Sequence, residues 1–356
     1  MAGLRIRFAQ DYGIFKSDFR RVIEKAIATR LGFCLRWQAQ LHPTMTTPKP
    51  RALLFSGQGA QKLGMGADLA ANSVSAHALY QLADSRLGWP LSDYSFHGPE
   101  AILTETRVCQ PALYAHGLAI LAAFEDHTGR PLRFEATAGL SLGEYTAHAA
   151  AGTFTFQTGL HLVRERGRLM QEACNATVGT MITLLGATPE QAHEIAQACD
   201  VDVANLNCPG QVVLSGGVRE MERVPALAKE KGIRKAIALK VAGAYHSRLM
   251  AAAATGLAHF LVDADMHASR VPVVANYTAD VTDGADQILR ALEAQVCGPV
   301  RWTESIQRLI AMGFTEFVEC GPGGVIAGLL KRIDPNVTCL SLESYADIVK
   351  HADTLA

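Results

Sequence analysis

The stretch Ala136-Thr137-Ala138-Gly139-Leu140-Ser141-Leu142-Gly143-Glu144-Tyr145 decides the reading of the fold. A short run of small apolar residues ends in Gly-x-Ser-x-Gly, and a helical segment follows from Glu144. That pattern predicts a sharp strand-to-helix turn with Ser141 at its tip, where small flanking residues make the turn sterically accessible. The helix N-terminus behind the serine favours negative charge developing there. An ordinary glycine turn would carry the same letters, so the neighbours of this segment must separate the two readings.

The same strand-turn-helix rhythm opens upstream. Ala52–Phe55 is an apolar run, Gly57-Gln58-Gly59-Ala60-Gln61 is a glycine turn, and helical stretches follow near 64–85 and 110–128. Strands alternating with helices predict a parallel α/β sheet. Between 178 and 242 the rhythm changes. Strand-like Thr180–Leu185, a helix from Pro189 to Cys199, strand-like Val201–Leu206 and Val212–Ser215, a helix over 218–231 and a strand over Ile233–Val241 give the order β-α-β-β-α-β of a ferredoxin-like unit. The larger domain resumes at Gly243, with a strand at Val271–Ala275, a helix over 302–312 and a strand at Phe314–Glu319. The expected architecture is therefore an α/β-hydrolase-like parallel-sheet domain, residues 45–177 and 243–345, interrupted by a ferredoxin-like subdomain over 178–242.

Composition bounds the function. Among 356 residues, 49% are hydrophobic and 19% charged, and no apolar run reaches the length of a membrane span. Net charge is −1, which gives no global electrostatic case for binding nucleic acid. The eight cysteines show no Cys-x-x-Cys pair and no zinc-finger spacing, so they read as small buried hydrophobes of a reducing, cytoplasmic protein. Charge is uneven, however: residues 1–44 carry eight Lys or Arg against three acids. Phe15, Phe19, Val22, Ile23, Ile27 and Leu31 fall at helical spacing, so the segment reads as a basic, amphipathic or disordered extension. Met45, just ahead of the first strand, resembles a natural start.

A serine needs a base, normally a histidine oriented by a third group. Of twelve histidines, His246 in Gly243-Ala244-Tyr245-His246-Ser247 lies where the small subdomain rejoins the large one, a place that can deliver a loop to the sheet's C-terminal edge.

Taken together, Phe55-Ser56-Gly57-Gln58-Gly59-Ala60-Gln61, Gln110-Pro111-Ala112-Leu113, Gly139–Tyr145, Arg166-Gly167, Asn207-Cys208-Pro209-Gly210-Gln211-Val212-Val213, Gly243–Ser247 and Glu319-Cys320-Gly321-Pro322-Gly323 stand in order over residues 51–333. The sequence resembles the malonyl-CoA:acyl carrier protein transacylases. That resemblance implies Ser141 as nucleophile and His246 as base, with the histidine oriented by the backbone carbonyl of Gln295. It implies an oxyanion hole from the backbone N–H groups of Gln58 and Leu142. It also singles out Arg166, among the three arginines of Arg164-Glu165-Arg166-Gly167-Arg168, as the group that binds the malonyl carboxylate. A planar guanidinium suits such bidentate pairing. The implied partners are malonyl-CoA and acyl carrier protein, with no metal or other cofactor, no nucleic acid and no membrane, and the chain is expected to act as a monomer.

Three positions bear on how far the chain follows the family pattern. Leu140 precedes the nucleophile where histidine is common. Tyr245 is the bulky residue that related polyketide acyltransferases pair with malonyl. Ser56 replaces a common proline and is expected to change only turn stiffness. Asn207 and Asn276 match positions near the site, with either structural or substrate-contacting roles. A serine hydrolase or thioesterase on the same turn, and a catalytically silent carrier-binding protein, are the alternatives. The first differs only in whether water or a thiol resolves the acyl-enzyme.

Overall fold

The computed structural model describes residues 49–356, so the expected basic extension at 1–44 lies outside the described residues. Five parallel strands form the larger sheet: β1 (Arg51–Phe55), β2 (Ala136–Gly139), β7 (Val273–Val274), β8 (Glu316–Cys320) and β9 (Thr338–Leu342), in the order β7-β2-β1-β8-β9. Side chains of a strand alternate between faces, and here each face meets its own core. Leu53 and Phe55 pack with the long helix α1 (Thr106–Thr128), while Ala52, Leu54, Ala136, Ala138 and Val274 pack with Trp302, Ile306 and Leu309 of helix α9 (Trp302–Ala311). Burial on both faces is why β1 and β2 read as continuous apolar runs rather than as alternating ones.

The second sheet is antiparallel and contains β3 (Gly179–Leu185), β4 (Asp202–Cys208), β5 (Gln211–Gly217) and β6 (Lys235–Ala238), in the order β4-β5-β3-β6. Helix α4 (Pro189–Cys199) begins with a capping box between Thr188 and Gln191 and with proline in its first turn, both strong start signals. Its Ala192, Ile195, Ala196 and Cys199 close the core of this unit with Leu184, Val212 and Leu214. The sequence order β-α-β-β-α-β is thus present with ferredoxin-like strand order.

Three details differ from expectation. The helix expected over 218–231 is two short ones, α5 (Val218–Met221) and α6 (Val224–Glu230). Pro225 has no N–H to continue the ladder and starts a new helix instead. The strand expected over Ile233–Val241 is paired only over Lys235–Ala238, after which the chain leaves the sheet toward Gly243. The segment after Ile333 received no element from the sequence, yet it forms the edge strand β9 and helix α11 (Tyr345–Leu355), whose Ile348, Ala352 and Leu355 are buried.

The two sheets are joined next to the second core. Leu206 of β4 donates from its N–H to the Val300 carbonyl at 2.9 Å, and the Val300 N–H donates to the Ala204 carbonyl at 2.8 Å. This ties the small sheet to the end of helix α8 (Ala285–Cys297), the helix that carries Gln295. Among the described residues no helix is long and apolar enough to cross a membrane.

Candidate active site

Ser141 leaves the C-terminal end of β2 with φ 54°, and helix α2 (Gly143–Ala150) starts two residues later. A left-handed serine is uncommon and costs on the order of 1–3 kcal/mol, so its surroundings must hold it. They do so through Asn276, whose Oδ1 accepts the Ser141 N–H at 2.6 Å while its Nδ2 donates to the Gly139 carbonyl at 2.8 Å. The turn is also pressed against the loop after β1. A Cβ on Gly143 would stand 2.1 Å from the Phe55 carbonyl oxygen, and one on Gly57 would stand 2.3 Å from the Leu140 carbonyl oxygen. Glycine at both positions lets the two backbones meet.

His246 also has a left-handed backbone, φ 57°, in the loop that follows the small sheet. The Ser141 hydroxyl lies 2.8 Å from His246 Nε2, and His246 Nδ1 lies 2.8 Å from the Gln295 carbonyl oxygen. A carbonyl can only accept, so Nδ1 carries the proton and Nε2 is left to accept from the serine. Burial and the nearby Arg166 charge push the His246 pKa down to about 4, so the ring is neutral near pH 7.

Arg166 projects from helix α3 (Phe156–Ala176) and is only 1% exposed. Its Nη1 donates to Gln110 Oε1 at 2.8 Å, and Nη2 donates to Gln295 Oε1 at 2.9 Å and to Ser141 Oγ at 3.0 Å. Its Nε has no partner. The guanidinium lies 5.5 Å from the centre of the Tyr145 ring. Burial lowers its pKa, yet a guanidinium starts so high that it stays charged. A buried cation whose hydrogen bonds all go to neutral oxygens is poised to accept an anion.

The backbone N–H groups of Gln58 and Leu142 donate to no protein acceptor among the described hydrogen bonds, leaving them open to an oxyanion. The Gln58 side chain turns to Thr106 Oγ1 at 3.2 Å and to the Tyr245 hydroxyl at 3.4 Å. Tyr245 is itself held by Thr106 Oγ1 at 2.5 Å. Leu140 packs into the second core, apart from these polar contacts.

Sequence reasoning missed three parts of this arrangement. The resemblance points to Gln295 for its carbonyl alone, but its side chain also binds Arg166, the Ser141 carbonyl at 2.9 Å and Glu144 Oε2 at 2.6 Å. Glu144 is fully buried, and the only sequence signal is an acid placed among small and apolar residues. Ser56 does more than alter stiffness: its hydroxyl donates to Glu319 Oε1 at 3.2 Å, tying the Gln58 loop to the end of β8. Asn276 bonds the serine backbone, whereas Asn207 has an unpartnered Oδ1 and, among the described residues, no hydrogen bond to Ser141 or His246.

The geometry is that of an activated serine nucleophile beside a cation, a combination suited to transfer of an acyl group with a free carboxylate. The family model described as "Acyl transferase domain" matches residues 52–333. The malonyl CoA-acyl carrier protein transacylase of Bacillus subtilis is 40% identical over 309 residues, which is 85% of this chain and 96% of the relative. The solved malonyl-CoA:acyl carrier protein transacylase of Xanthomonas oryzae pv. oryzae is 39% identical and superimposes with a TM-score of 0.83, over 87% of this chain and 100% of that one. A malonyl-transacylase solved in complex with a type II polyketide acyl-carrier protein is 35% identical, with a TM-score of 0.81 over 86% of this chain and 99% of that one. With fold, serine turn and sequence agreeing over nearly the whole described chain, this protein belongs to the acyl transferase family that includes the malonyl-CoA:acyl carrier protein transacylases.

Proposed function

We propose that this chain is an acyltransferase that moves the malonyl group from malonyl-CoA to the pantetheine thiol of acyl carrier protein, through a malonyl ester on Ser141. The observation that carries the reading is the arginine: the buried Arg166 places its Nη2 3.0 Å from the Ser141 hydroxyl, a fixed cation directly beside the nucleophile.

In the first half-reaction Ser141 Oγ attacks the thioester carbonyl carbon while its proton passes to His246 Nε2. Negative charge on the former carbonyl oxygen is met by the Gln58 and Leu142 N–H groups. The imidazolium that forms keeps its Nδ1–H on the Gln295 carbonyl, a neutral acceptor doing what a carboxylate does in other serine enzymes. Collapse breaks the C–S bond, and His246 returns the proton to the departing CoA sulfur. The second half-reaction runs the same steps backward with the carrier's thiol, whose proton goes to His246 and ends on Ser141. Arg166 grips the malonyl carboxylate in both halves and holds the acyl carbon near Oγ. No step requires a metal or redox group. The reading includes a cytoplasmic enzyme acting as a single chain.

Arg166→Ala tests it. Loss of a charge-assisted pair in a desolvated pocket is expected to lower malonyl-CoA turnover roughly 10²-fold or more, while acetyl-CoA turnover stays near the wild-type rate or rises. Equal losses with both substrates would make Arg166 a structural residue. Hydrolysis outrunning transfer in the wild type with carrier present would favour a hydrolase.

A further inference from the structure

Glu144 takes no part in the steps above, yet it is completely buried behind the nucleophile. Its Oε2 accepts the Asn276 N–H at 3.0 Å and Gln295 Nε2 at 2.6 Å, and its Oε1 has no partner. The other end of the same Gln295 amide accepts from Arg166 Nη2 at 2.9 Å. One side-chain amide therefore stands between a buried carboxyl and a buried guanidinium, and no direct ion pair to Arg166 occurs among the described residues.

Charge balance gives this bridge a consequence. In the unloaded enzyme Arg166 and an ionised Glu144 cancel. A neutral acyl group on Ser141 leaves that balance intact, whereas a malonyl carboxylate on Arg166 adds a second anion to a site that excludes water. An uncompensated buried charge is costly, and a carboxyl in that position takes a proton instead.

We propose that Glu144 is a positioning residue for acyl selection: linked to Arg166 through Gln295, it balances the guanidinium in the empty enzyme and takes up one proton from solvent when an acyl carboxylate occupies Arg166. This rests on the malonyl-transfer reading. Loading of malonyl is then proton-linked, and loading of acetyl is not.

The surrounding groups leave Glu144 as the one that titrates near neutrality. Burial pushes its pKa up to about 7, against the hydrogen bonds from Asn276 and Gln295 and the charge of Arg166, which favour the carboxylate. From its own helix it meets Tyr145, whose pKa is raised, and His148, held down to about 3. The loop after the small sheet brings His246, held down to about 4, and Tyr245, pushed up to about 12. Helix α3 brings Arg166, and the elements bearing Asn276 and Gln295 contribute only uncharged groups at the carboxyl. The free carboxylate of malonyl-CoA is ionised throughout, and release of the CoA thiol is common to both substrates.

The test is the equilibrium extent of Ser141 acylation by malonyl-CoA and by acetyl-CoA from pH 6 to 9, read by intact mass. The malonyl-to-acetyl ratio is expected to fall above pH 7 by up to about tenfold per pH unit, the slope of one linked proton. Glu144→Gln, neutral at every pH, should flatten it. Should that variant not fold, calorimetry of the wild type at pH 8 in buffers of different ionisation enthalpy reads the proton directly, with about one extra proton taken up per malonyl and none per acetyl. A flat wild-type ratio without proton uptake, or a slope that persists in Glu144→Gln, would overturn the proposal. Absence of any malonyl adduct on Ser141 at all pH values would overturn the transfer reading beneath it.

Discussion

Ser141 and His246 both sit in left-handed backbone, 105 positions apart, and meet at 2.8 Å. Neither residue could be brought there by local preference; each is fixed by a long-range bond, Ser141 through Asn276 and His246 through Gln295. Ser141, His246 and Arg166, which the structure brings together, were visible in the sequence because Gly-x-Ser-x-Gly has a steric logic and because the collinear motifs single out one histidine and one arginine. Glu144 and the Gln295 amide were not, since a hydrogen-bond relay between three elements leaves no periodicity or spacing. The lowered His246 pKa has a measurable sign. Burial and Arg166 disfavour the imidazolium, so with His246 as the proposed base the acid-side loss of acylation is expected only as pH falls through about 4. Acylation by acetyl-CoA, which leaves Arg166 unoccupied, should run at nearly the same rate at pH 5.5 and pH 6.5. A fall with a midpoint near 6.5 would show an unperturbed histidine. His246→Ala should slow acylation by ~10²–10⁴-fold at either pH.

At the scale of elements, the site is assembled where strands end. Ser141 follows β2, Gln58 follows β1 and Gly321 follows β8, so the C-terminal edge of the parallel sheet gathers loops from distant parts of the chain. Strands β1 and β2 could be read from apolar runs bounded by glycine, and α4 from its cap. Strand β9 could not, because Thr338–Leu342 is a partly exposed edge whose pattern is not continuous. What braces the Gln58 loop was also hidden. Glu319, at the end of β8, accepts from Ser56 Oγ at 3.2 Å, the Ile326 N–H at 2.9 Å, the Ala327 N–H at 3.1 Å and Ser341 Oγ at 2.9 Å. It thereby caps helix α10 (Val325–Ile333) and holds β9 as well as the loop. Ser56→Ala removes one of four donors to a buried carboxylate. It should lower stability by about 1–2 kcal/mol in urea unfolding and slow acylation, because the Gln58 N–H is less firmly placed. Unchanged stability and rate would mean that the sheet alone holds the loop.

At the scale of the whole molecule, two sheets divide the labour. The parallel sheet carries Ser141, the Gln58 and Leu142 N–H groups and, on the adjoining helix α3, Arg166; the antiparallel sheet ends in the loop that brings His246 to the serine. The contacts of Val300 with β4 tie the small sheet to the end of the helix that carries Gln295. On the proposed reading a substrate thioester meets both parts at once, and the acyl group passes through Ser141 on its way between two thiols. The direct test is a two-step chase. The wild-type protein is incubated with isotopically labelled malonyl-CoA, freed of CoA, digested and mapped by mass spectrometry; a second portion is mixed with pantetheine-bearing acyl carrier protein before mapping. One labelled malonyl group on the peptide containing Ser141, absent in Ser141→Ala and moved quantitatively to the carrier's pantetheine in the second portion, is the expected result. Label on another residue, label retained by Ser141→Ala, or release of the label as free malonate with carrier present would contradict it.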